Sequence, residues 1–186
     1  PKGMTVAEYR QQKIGEAKAF AAELGGESVV LKYVDGELPD NDEVRWLVAD
    51  LIRQHKPDVL ITHWKNSMHK DHALTHKIVK DAQFYAGLPS FERELPAHFA
   101  AGPYYVENWE DTEGFEPYIY SVVSPEGFAL WDNAINHHWF ALNSTSYKYK
   151  DYYAHLMATR GINIRRQYAE TFDIEQMDKR VIKEGL

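Results

Sequence analysis

The chain contains no cysteine. Disulfides, thiolate catalysis and cysteine-built zinc sites are therefore excluded, and any metal must be held by His, Asp, Glu or backbone oxygen. No apolar run reaches the ~18 residues that would span a bilayer. The first residues, Pro1-Lys2-Gly3-Met4-Thr5, lack the apolar stretch of a signal peptide. The expectation is a cytoplasmic protein with no membrane span. Positive charge is also short: 21 Lys+Arg against 28 Asp+Glu leave a formal charge of -7. Tracking a phosphate backbone needs a clustered cationic excess, so no nucleic acid is expected as a partner.

What remains is an ordinary globular composition, with 44% hydrophobic and 26% charged residues in 186. That length suits one domain, 1–186, with one core. Nine histidines keep a metal site in view. No internal repeat or low-complexity tract interrupts the chain.

Thr5 and Glu8 stand in capping-box spacing ahead of an amphipathic helix that Gly25-Gly26 ends. Ser28 to Val34 is a β-branched and aromatic run of strand length. Asn41 or Asp42 caps a second helix over about Glu43 to Gln54, stopped by Lys56-Pro57. Asp58 to His63 is nearly continuously apolar, the pattern of a parallel strand covered on both faces. A third helix follows from about Asp71 to Ala86. Helix, strand, helix, strand, helix with short connections is the signature of an α/β layered fold on a parallel sheet, and ligands sit beyond the strand C-termini in such sheets.

The second half is less regular. Phe99 to Val106 and Glu116 to Val123 read as strands, Ser124-Pro125 opens a helix, and Lys150 to Thr159 reads as another that Gly161 breaks. A surface helix is expected over Glu175 to Glu184. The stretch from Tyr104 to Gly114 is the longest loop, and long loops often line sites. The tyrosines at 147, 149, 152 and 153 suit interior packing or a subunit contact better than a sugar-stacking surface.

The densest group of ligand-type side chains is His69-Lys70-Asp71-His72, with His76 four residues on. At about 100° per residue the three histidines share one helix face, opposite Leu74, Ile78, Ala82 and Tyr85. Imidazoles at i, i+3 can reach one metal ion or one substrate oxygen, and a carboxylate between them can orient a ring. Solvated histidines at a helix start would show the same spacing. His63 and Trp64, at the strand end, are placed to shape the site rather than to do chemistry. His55, His98 and His155 have no partners in sequence, and a cationic ring within His137-His138 would suit a helix C-terminus.

The strand Asp58 to His63 followed by His69-Lys70-Asp71-His72 resembles the PIG-L/LmbE-like family of metal-dependent N-deacetylases, whose pattern is a strand ending Thr-His, then His-Pro-Asp-His and a helix. Tyr33-Val34-Asp35-Gly36, Gly102-Pro103-Tyr104-Tyr105, Arg160-Gly161 and Tyr168-Ala169-Glu170-Thr171-Phe172 resemble further family segments in the family's order. The resemblance implies a Rossmann-like three-layer fold with a mainly parallel sheet. It implies a hydrolase that removes an N-acetyl group from an amino sugar or sugar conjugate, using zinc or another divalent metal. His72 would be a metal ligand, His69 would stabilise the oxyanion, and Asp71 would orient His69 or a neighbouring ring. Asp35 would contact sugar hydroxyls, and Lys13 would stand near a family arginine that reaches the substrate.

The chain departs from the family pattern in three places. Lys70 replaces the motif's proline, His137-His138-Trp139-Phe140 replaces a His-x-Ser-Gln element, and the motif Ala-His-Pro-Asp-Asp-Glu, which supplies two metal ligands and the general base, is absent from these 186 residues. Leu38-Pro39-Asp40-Asn41-Asp42 is a decoy for it, better explained as a helix cap. The chain opens on Pro1, as though the first strands and helix of the fold, and with them a missing N-terminal piece of the same polypeptide, preceded it. Two expectations stand side by side: a piece of a longer deacetylase, or a catalytically degenerate carbohydrate-binding or scaffold relative. Self-association into a homo-oligomer is a further expectation, from the aromatic loops.

Overall fold

The computed structural model describes residues 3–180, which form two compact units. One holds the residues up to Lys32 together with Tyr120–Glu170; the other holds Tyr33–Ile119 and the described residues from Thr171 onward.

In the first unit, helix α1 (Val6–Glu23) begins with the expected capping box. Glu8 N–H donates to Thr5 Oγ1 at 3.2 Å and Thr5 N–H to Glu8 Oε2 at 2.8 Å. It ends in a Schellman arrangement, with Gly26 N–H donating to Ala21 O and Gly25 N–H to Ala22 O. Gly25 takes the left-handed φ of +75° that this stop requires. Residues 28–34 form no strand, although their composition predicts one: Val29, Val30 and Val34 are exposed. A strand exists only where a neighbour accepts its hydrogen bonds, and composition carries no information about that neighbour.

The same unit contains α4 (Pro125–Ala134), a short α5 (Trp139–Asn143) and α6 (Tyr149–Asn163). Ser124 caps α4 through Gly127 N–H at 3.0 Å. Gly161 does not break α6, which continues to Asn163; a Cβ there would lie 2.6 Å from the Gln167 backbone, so glycine serves close approach. The clustered tyrosines pack on one another, with ring centroids of Tyr147 and Tyr149 4.8 Å apart.

The second unit carries α2 (Asp42–His55), β1 (Val59–Thr62), α3 (Lys70–Gly87) and β2 (Ala101–Val106). Asn41 caps α2 through Val44 N–H, as its position predicts, and Lys56 closes it in the left-handed conformation. Its core joins Ala49 and Ile52 of α2 to Ala82 and Ala86 of α3, flanked by Trp46 stacked on Tyr85 at 4.6 Å. Arg53 is buried with these apolar residues. Its guanidinium donates to the carbonyls of Tyr85, Ala86, Leu88, Phe91 and Leu95, which fixes the end of α3 and the following loop against α2.

The sheet has the order β1-β2-β4-β3, where β3 is Ile119–Val123 and β4 is Tyr168–Asp173. β1 and β2 are parallel, with Thr62 opposite Tyr105, whereas β2 and β4 are antiparallel, with Tyr105 opposite Asp173. The expected mainly parallel sheet is therefore corrected to a mixed one. Strand direction is set by the path of the connecting chain, which a period-2 pattern does not record. β1 is also not covered on both faces: Val59 and Ile61 are exposed, and Thr62 is buried.

The expected surface helix from Glu175 is a single 3-10 turn at Gln176–Asp178; the part of that expectation beyond 180 falls outside the described residues. Among the described residues, no helix is long and apolar enough to cross a membrane.

Candidate active site

Strand β1 delivers His63 at its C-terminal end, and a short polar loop leads to α3. His69 is the N-cap of that helix: its Nδ1 accepts the Asp71 N–H at 3.2 Å, and its own N–H donates to Ser67 Oγ at 3.1 Å. An imidazole nitrogen that accepts a backbone N–H carries no proton, so the neutral ring holds its hydrogen on Nε2. Nε2 lies 3.3 Å from Asp35 Oδ1.

Asp71 reaches the same loop by another route. Its Oδ2 accepts the Gly36 N–H at 2.7 Å, while its buried Oδ1 has no hydrogen-bond partner. Asp35, His69 and Asp71 thus form one group of ligand-type atoms within 4.8 Å of one another. The Asp71 carboxylate holds the loop that presents Asp35, and the Asp71 amide, rather than its carboxylate, contacts the His69 ring.

His72 belongs to a second group. Its ring stacks on His63 at 4.2 Å and lies 4.6 Å from His69. His63, His72 and Asp111 offer ligand atoms within 4.8 Å of one another. Asp111 comes from the loop after β2, is buried, and lies with Oδ2 4.0 Å from His72 Nδ1. Glu110 Oε1 is 3.7 Å from the same nitrogen. The loop is pinned by the Glu113 carbonyl, which accepts from Trp64 Nε1 at 2.9 Å and Asn66 Nδ2 at 3.0 Å.

Burial, followed by the nearby His72, pushes the His63 ring down to about 4, so it is a neutral imidazole at neutral pH. The His63 Nδ1 and Asp111 Oδ1 atoms are buried without hydrogen-bond partners.

His76 joins neither group of ligand-type atoms. It is buried, lies 4.4 Å from the Tyr105 ring, and its Nδ1 meets the His63 carbonyl at 3.0 Å. Burial also pushes this ring down. It fixes the strand end that carries His63. Lys13 lies in the other unit, where its ammonium is 2.7 Å from Glu16 Oε2. His98 and His155 meet backbone carbonyls of Pro57 and Asp151, consistent with structural roles.

Sequence reasoning assigns His63 only a shaping role and does not single out Asp111. The one signal for Asp111 is its place in the long loop from Tyr104 to Gly114.

The histidines and carboxylates thus cluster beyond the C-terminal end of a strand on an α/β fold with a mixed sheet, where ligands bind in such folds. The family model for PIG-L, described as GlcNAc-PI de-N-acetylase, matches residues 1–83, and the chain is thus similar to the PIG-L/LmbE-like family, as its motifs indicate. No curated protein sequence matches.

Three solved structures share the fold. The conserved protein TT1542 from Thermus thermophilus superposes with a TM-score of 0.78 at 20% identity, covering 92% of this chain and 76% of that one. GalB, the 4-carboxy-2-hydroxymuconate hydratase from Pseudomonas putida, gives 0.80 at 18% identity, covering 100% and 79%. The N,N'-diacetylchitobiose deacetylase from Pyrococcus horikoshii, complexed with its inhibitor MPG, gives 0.76 at 21% identity, covering 94% and 67%. A hydratase and a deacetylase on one fold show that the reaction is decided by the site.

Proposed function

We propose that the protein is a metal-dependent hydrolase that removes an N-acetyl group from an amino sugar or sugar conjugate. The observation that carries this reading is the capped tautomer of His69. With Nδ1 held by the Asp71 amide, Nε2–H is the donor, 3.3 Å from Asp35 Oδ1 and one ring away from His72. The PIG-L match over residues 1–83 supports the same reaction class.

The residues fit a divalent ion, because buried donor atoms at His63 and Asp111 stand without partners next to His72. When bound, a divalent ion supplies a polarised acetyl carbonyl and a more acidic water. His72 would help hold it. His69 Nε2–H would donate to the oxygen that gains charge as the carbonyl is attacked. Asp35 would accept from sugar hydroxyls, kept in place by the Asp71 bond to Gly36.

The test is acetate release from N-acetylglucosamine conjugates by the zinc-loaded protein. His72→Ala should lose metal, whereas His69→Ala should keep metal and lose on the order of 10²-fold in turnover. Normal deacetylation by both variants overturns the assignment. A second reading is a carbohydrate-binding relative without turnover, which predicts sugar binding with no metal in the purified protein.

A further inference from the structure

We infer that His63, His72 and Asp111 form a three-ligand divalent-metal site. This deepens the deacetylase reading and rests on its placement of the metal at His72. The resemblance assigns only His72 and draws the remaining ligands from a motif these residues lack. The structure places two other donors beside it, one from the end of β1 and one from the loop after β2.

Distances and chemistry both suit an ion. Zinc bound at about 2.0–2.2 Å by nitrogen and oxygen brings its ligand atoms to about 3.3 Å from one another in a tetrahedron. The three ligand atoms already lie within 4.8 Å of one another, so side-chain rotations of an ångström or so close the site. Two imidazoles and one carboxylate form a donor set common in hydrolytic zinc sites, with the fourth position open to water or a substrate oxygen.

An independent observation is the state of the donors. Asp111 is 1% exposed; Asn108 Nδ2 donates to its Oδ2 at 3.0 Å, and Oδ1 has no partner. His63 Nδ1 is also buried and unpartnered. A buried carboxylate oxygen and a buried ring nitrogen left without partners are each costly. One cation between them removes both costs.

The site is also held in shape from outside. The His76 ring meets the His63 carbonyl, Asn108 holds Asp111, and the Glu113 carbonyl anchors the loop through Trp64 and Asn66. Such outer partners orient metal ligands before the ion arrives.

The experiment titrates Zn2+ into the metal-free 186-residue protein by calorimetry, with Co2+ absorption reporting coordination geometry. About one ion per chain is expected. His63→Ala and Asp111→Asn should each weaken binding by about 100-fold or more, beyond the 10- to 100-fold typical of losing an outer partner. Glu110→Gln, one residue away, should change it little.

Thermal melting separates ligation from folding. Asp111→Asn should melt no lower than the wild type without metal, because it removes a buried charge, and should lose the rise that saturating Zn2+ gives the wild type. Wild-type affinity in both His63→Ala and Asp111→Asn, with loss only in His72→Ala, overturns this ligand set and leaves the deacetylase reading standing. An equal loss in Glu110→Gln and Asp111→Asn also overturns it, since general negative charge would then explain the binding. If the wild-type protein binds no ion, this ligand set is overturned.

Discussion

The Gly36 amide donates to the Asp71 carboxylate at 2.7 Å, joining the loop that presents Asp35 to the first turn of α3 across 35 residues of chain. The acid that looks like part of a catalytic motif therefore also holds the loop in place. It further places negative charge at a helix N-terminus, where the dipole favours it.

Asp71→Ala should release that loop. Faster hydrogen exchange at the Gly36 amide is expected, with a stability loss of about 1–2 kcal/mol in urea titration from a charged hydrogen bond and a favourable first-turn acid. Unchanged exchange at Gly36 would show that the loop is held by something else.

His69 both caps α3 and offers the Nε2 donor, and two substitutions separate these roles. His69→Ala should lose about 1 kcal/mol of stability, whereas His69→Asn keeps a capping oxygen and should stay near wild type. Both should lose turnover. If His69→Asn restores turnover along with stability, the ring serves as a cap and nothing more.

Arg53 is 1% exposed and satisfies five carbonyls. Arg53→Ala should cost at least ~4 kcal/mol, because the carbonyls lose their donors and a cavity opens between α2 and α3. Arg53→Lys should recover little, since a single ammonium cannot reproduce the planar fork. Chemical denaturation of the three proteins measures the difference.

Acid should destabilise the metal-free protein before most carboxylates titrate. The His63 ring falls from an ordinary 6.5 to about 4 through burial and then His72, and burial lowers the His76 ring as well. Between those values the unfolded chain binds more protons than the folded one, so this stability is fully present above about pH 6.5 and drains away as pH falls towards 4. Melting temperature measured from pH 7.5 to 4 should fall through that window, and His76→Asn should flatten the slope. A flat profile down to pH 4 would contradict the burial of these rings.

Much of the local architecture was legible because its causes are local. The Thr5 and Glu8 capping box, the Gly25-Gly26 stop, the Asn41 cap and the run from His69 to His72 each depend on residues three or four apart. Reading Asn41-Asp42 as a cap rather than a metal motif also rested on local chemistry, and Asn41 does bind Val44 N–H. The 28–34 run misled because a β-branched segment needs a partner strand that composition does not name. The covered-strand reading of β1 misled for a related reason, since which face of Val59 and Ile61 is packed depends on distant chain.

The site divides along the same line. His69 and His72 could be named from sequence, because α3 brings them together by its own periodicity. Asp111 could not, because 39 positions separate it from His72 and its loop has no period; only the path from β2 and the anchor at Glu113 place it there. Sequence by itself therefore determined helices α1, α2 and α4 with their caps, and the histidine pair, which arise from contacts within a turn or two. Tertiary structure alone decided the direction of β4, the burial of His76, and the company of His63 and Asp111 around His72, because long-range packing chooses which buried polar atoms meet.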